Sequence, residues 1–78
     1  MIRYRLVFYG DLLPDVDRES CLQSLSATFG HSVERMRPFL FSGRPAIIKT
    51  VRQYDTAERF VDAFAKAGAV LHIEEVRG

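Results

Sequence analysis

The sequence predicts an α+β domain of β-α-α-β-α-β order, folded as a two-layer sandwich with a three-stranded sheet and three helices on one face. Three observations carry that prediction. The first and last segments alternate apolar and polar residues with the period of two that a half-buried strand requires. Between them lie stretches whose apolar residues recur at three and four, opened by Asp or Ser and closed by Gly. The β-branched run Ala46–Val51 divides those helical stretches into two before it and one after it.

Residues 2–9 form the first strand, with Tyr4, Leu6 and Phe8 on one side and Arg3, Arg5, Val7 and Tyr9 on the other. Gly10, Asp11, Pro14 and Asp15 then mark a turn-rich loop. Asp17 suits a helix N-cap, because its carboxylate accepts from amide N–H groups that the first turn leaves unpaired. In the helix that follows, Cys21, Leu22, Leu25 and Phe29 share a stripe, Glu19 favours the positive end of the dipole, and Gly30 supplies a left-handed stop. Ser32 opens a short second helix that presents Val33, Met36 and Leu40. Pro38 lacks an N–H and crowds the preceding turn, so a kink or a split is expected there.

Ser42 and Gly43 make a turn into the second strand, whose expected inward pair is Ala46 and Ile48. Asp55 and Glu58 read as an acidic capping box for the third helix, whose stripe of Ala57, Phe60, Val61, Phe64 and Ala67 ends at Gly68. Residues 70–76 form the last strand, with Leu71 and Ile73 inward and Val70, His72 and Glu74 outward. Helices on one face leave the other sheet face to water or to a partner.

A chain of 78 residues, 47% of them hydrophobic, has room for one domain, residues 1–78, and no second core. Such a chain buries roughly 60–65% of its unfolded surface, which leaves room for a face shared in a homodimer. Eleven Lys and Arg against ten Asp and Glu give a net charge of +1, without the basic excess of a dedicated nucleic-acid binder. Only Lys49 and Lys66 are lysines, and the planar fork of arginine suits contacts to protein, carboxylate or phosphate. The single cysteine, Cys21, excludes an internal disulfide and every zinc or redox spacing that needs a second thiol, and fits a reducing compartment. The N-terminus alternates instead of running apolar, so neither a signal peptide nor a membrane span is expected and the chain reads as cytoplasmic.

Residues 40–74, LFSGRPAIIKTVRQYDTAERFVDAFAKAGAVLHIE, resemble the C-terminal domain of the bacterial ribosomal stalk protein. A small-residue turn, a Pro-Ala strand, a capped helix and an Ala-Gly-Ala turn follow one another in that family; here they are Pro45-Ala46, residues 55–66 and Ala67-Gly68-Ala69. The N-degron adaptor of the Clp protease shares that fold. Gly10 and Asp11 stand roughly where the adaptor has an Asn-Asp pair, and FSGRPA stands at its histidine-containing turn, with no histidine here. The opening YRLVFYGDLLPDVDRES and the LFSGRP segment also look like small domains of uncharacterised proteobacterial proteins, some of which place such a module ahead of membrane segments. These resemblances imply a fold and no catalytic role.

Asp11, Asp15 and Asp17 lie close in sequence, but they lack the central glycine and distal Glu of a calcium loop, and turn and capping roles account for Asp15 and Asp17. His31 and His72 are far apart, and Cys21 belongs to an apolar stripe, so no nucleophile is paired with a base. Gly43-Arg44-Pro45 lacks the spacing of a phosphate loop, although Arg44 with Arg35 and Arg37 would form a basic corner. No catalytic residue, metal ligand or cofactor is therefore expected, nor an enzyme. The expected function is a protein-interaction or adaptor domain. Its binding residues would be Arg3, Arg5, Tyr9 and Lys49 on the open sheet face and Phe41 and Arg44 in the turn at 41–44; the alternative is nucleic-acid binding through the same arginines.

Overall fold

The computed structural model describes residues 1–77. Strand β1 (Ile2–Leu12), helices α1 (Arg18–Phe29) and α2 (Val33–Leu40), strand β2 (Ala46–Val51), helix α3 (Tyr54–Lys66) and strand β3 (Ala69–Arg77) follow in that order. The sheet runs β2-β1-β3 and both pairings are antiparallel. An α+β architecture with the helices packed on the sheet results, as the periodicities predict.

The central strand sets the layers. Leu6 and Phe8 are wholly buried under the helices, where Phe8 meets Phe64 of α3 at 6.1 Å and Phe41 edge-on at 5.6 Å between ring centroids. Leu22, Leu25 and Cys21 of α1 are also wholly buried in this core. Burying each such large side chain contributes about 1.5–3 kcal/mol, which is why one apolar stripe per helix suffices to hold the layer down. No helix among the described residues is long and apolar enough to cross a membrane.

Local signals act where expected in the first half. Asp17 accepts from the Ser20 N–H at 3.1 Å, Gly30 ends α1 at φ 74°, and Ser32 accepts from the Arg35 N–H at 3.3 Å. Three details depart from expectation. Helix α2 is not split at Pro38: it runs on to Leu40, and Phe41 closes it by donating to the Arg37 carbonyl at 3.0 Å. The N–H that Pro38 lacks would have served the Glu34 carbonyl, so the proline removes one bond from the helix without ending it. Helix α3 begins at Tyr54 with Gln53 as N-cap and no side-chain cap, so Asp55 lies inside the first turn, favoured by the dipole and not as a cap.

The third departure lies in the strands. In the pairing of β1 with β2, Leu6 stands opposite Lys49 and Val7 opposite Ile47, which makes Ile48 the extra residue of a β-bulge. Between Phe8–Leu71 and Leu12–Ala69, β1 uses two more residues than β3, with Gly10 at φ 88°, so β1 continues through the stretch read as loop and ends at Leu12. The Leu13 N–H then donates to the Gly68 carbonyl at 2.8 Å, tying this end of β1 to the turn between α3 and β3.

Candidate functional site

Two surfaces have the chemistry for recognition, one on each side of β2. The first is the outer face of the sheet. Cross-strand partners share a face, so Arg5 stands with Glu74 and Thr50, and Val7 stands with His72 and Ile47. The Tyr9 hydroxyl donates to Glu74 Oε2, and its ring meets the His72 ring edge-on at 5.2 Å. Asp11, carried there by the bulged end of β1, places Oδ2 4.0 Å from His72 Nε2. The bond to Glu74 holds the Tyr9 phenol above its ordinary range, with the carboxylate charge adding to the effect and Arg5 opposing it.

Val7 is the unexpected member of this face. It is only 3% exposed although no helix lies over it, while Ile47 is 54% and Tyr9 46% exposed beside it. Arg3, Arg5 and Tyr9 thus lie on the face that alternation assigns them.

The other expected binding residues are placed differently. Lys49 faces the helices: the bulge at Ile48 turns it to the side of Leu6, and its Nζ lies 5.8 Å from the Phe60 ring centroid. Phe41 is half-buried against Phe8, with the Arg18 guanidinium 4.7 Å from its ring centroid, so it serves the core and not an exposed turn. Arg44 is exposed in the turn, where its N–H donates to Ser42 Oγ at 3.4 Å. The basic corner does not assemble, because Arg37 is committed to Glu19 through bonds of 2.5 and 3.2 Å that join α1 to α2. That pairing holds the Glu19 carboxyl below the usual carboxylate range.

The second surface is a cleft of about 540 Å³ that no single segment announces. Phe29 from α1, Met36 and Leu40 from α2, and Phe60 and Phe64 from α3 form its apolar walls. The rings of Phe29 and Phe60 are nearly parallel there, 5.9 Å apart at 7°. Its polar lining is His31, Arg35 and Lys49, with no carboxylate among them. Arg35 and Lys49 make no ion pair among the described residues. The sequence shows the apolar walls of this site one element at a time, in the stripes that hold Phe29, Met36 and Leu40, and Phe60 and Phe64; the arrival of Lys49 beside them depends on a bulge.

Cys21 is wholly buried and desolvation pushes its thiol up, away from the reactive thiolate. The three aspartates of the β1–α1 region are spread over three tasks: Asp11 faces His72, Asp15 takes a left-handed turn position at φ 65°, and Asp17 caps α1. Compared with known protein families, curated proteins and solved structures, the chain matches none.

Proposed function

We propose that the domain is a non-enzymatic protein-interaction or adaptor module that docks a partner on the outer face of its sheet. The observation that carries this reading is the exposed pair Ile47 and Tyr9, 54% and 46% exposed on either side of Val7 on the sheet face opposite the helices. An apolar centre with a tyrosine and flanking arginines is the composition of a protein contact patch, in which the centre loses water and the charged margin sets orientation. The occupant is a protein surface with an apolar anchor for Ile47 and Tyr9 and acidic groups for Arg3 and Arg5. Nucleic acid ranks second because Glu74 beside Arg5 and Asp11 beside His72 interrupt the positive field that phosphates require.

Affinity capture from lysate with the native domain, Ile47→Asp, Arg5→Glu and Lys49→Glu, followed by amide-shift mapping of the captured protein on the domain, tests the reading. Ile47→Asp and Arg5→Glu lose the partner, Lys49→Glu retains it, and the shifts fall on β1 and β3. A partner retained by both outer-face variants overturns the docking site. A steeply salt-dependent complex with RNA or DNA in place of a protein overturns the partner class.

A further inference from the structure

We propose that the cleft between α1, α2, β2 and α3 is a binding site for a small apolar monocarboxylate. Its chain lies against the Phe29, Phe60 and Phe64 rings and its carboxylate meets Arg35 and Lys49. The site is on the helical side of the sheet, so it stands or falls independently of the outer docking face.

Volume, lining and charge each point to this class of ligand. About 540 Å³ lies within the range of small-ligand pockets, which are largely apolar with a few polar groups that orient the ligand. The rings that line the cleft offer area that needs no hydrogen bond, so the matching part of the ligand is hydrocarbon. Arginine binds a carboxylate through two parallel N–H bonds, and lysine adds a point charge.

The contrast with the next arginine on α2 is informative. Arg37 already has Glu19, whereas Arg35 and Lys49 have no carboxylate partner among the described residues and none on the cleft wall. A ligand carboxylate supplies what the protein withholds there. A single charge also suits the site better than a phosphate, which would lose more hydration beside these rings.

The bulge at Ile48 is what makes the site. Strict alternation would put Lys49 on the outer face, as the sequence suggests. One extra residue brings Ile48 and Lys49 to the cleft together, which joins a cation to an aromatic wall.

The test uses decanoate, at concentrations where it is monomeric, with decanol as the uncharged probe of equal chain length. Binding is followed by calorimetry and by amide shifts. Decanoate saturates one site, shifts Phe29, Lys49 and Phe60, and binds about tenfold or more tighter than decanol. The Arg35→Gln/Lys49→Gln variant reduces decanoate to the affinity of decanol, and both positions are exposed, so the variant keeps the native thermal transition. Arg5→Gln on the opposite face binds decanoate as the native protein does. Equal affinity for decanoate and decanol, an unaffected double variant, or shifts confined to the outer face would each overturn the proposal.

Discussion

Tyr9 shows how one contact joins the sheet to its surface chemistry. Its hydroxyl donates to Glu74 across the edge of β1 and β3, which favours the protonated phenol and raises its pKa above the ordinary 10.0. Because the folded value is the higher one, the contact adds stability below pH 10 and loses it as pH rises through the raised value. Ultraviolet titration, with Tyr9→Phe to assign the signal, is expected to show Tyr9 ionising later than free tyrosine. Glu74→Gln removes the charge and brings the transition back down, whereas Arg5→Gln moves it further up. A Tyr9 titration indifferent to Glu74→Gln contradicts the described bond.

At the scale of elements, the junction of β1 with the turn after α3 is the most demanding. Gly68 has φ 91°, and a Cβ there would lie 2.5 Å from Val16 Cγ1 and 2.7 Å from Cγ2. Gly68→Ala therefore combines a disfavoured backbone with a steric clash and is expected to cost about 2 kcal/mol or more in chemical denaturation. Adding Val16→Ala removes the two closest methyls but leaves Cβ at 3.1 Å and the backbone unchanged, so the double variant recovers part of the loss when compared with Val16→Ala alone. Full recovery would show that neither the left-handed conformation nor the remaining Cβ contact is strained. Ala67-Gly68-Ala69 is readable in sequence as a helix stop because that information is local. Asp17, Gly30 and Ser32 were legible for the same reason: each cap involves residues within four positions of one another. Asp55 misled because an acidic residue in the first turn and an acidic cap have the same composition and differ by two positions in register. Lys49 was not legible, since a bulge is set by pairing with a distant strand and one extra residue reverses every later assignment. The cleft was hidden for the same reason, being assembled from four elements that only the tertiary fold brings together.

The whole molecule is asymmetric about its sheet, and that asymmetry is measurable. Phe64 contacts both Phe8 and Phe29 on the helical side and is 2% exposed, whereas Ile47 on the outer side is 54% exposed. A domain of this kind has about 0.05–0.15 kcal/mol of stability per residue, so a single core truncation consumes a large part of it. Phe64→Ala is expected to cost about 3–5 kcal/mol, and the milder Phe64→Leu keeps the comparison readable if the alanine variant does not fold. Ile47→Ala is expected to stay within about 0.5 kcal/mol, because it removes little surface from a packed environment. Val7→Ala falls between them: the side chain is enclosed, but only by neighbours in its own layer. Denaturant midpoints at two protein concentrations distinguish this order from its main rival. If Ile47→Ala costs as much as Phe64→Leu, and its cost grows with protein concentration, the outer face is already covered by a second copy of the chain. In that event the sheet is the middle of a dimer and not the open side of a monomer, and the partner sought for Ile47 and Tyr9 is the protein itself.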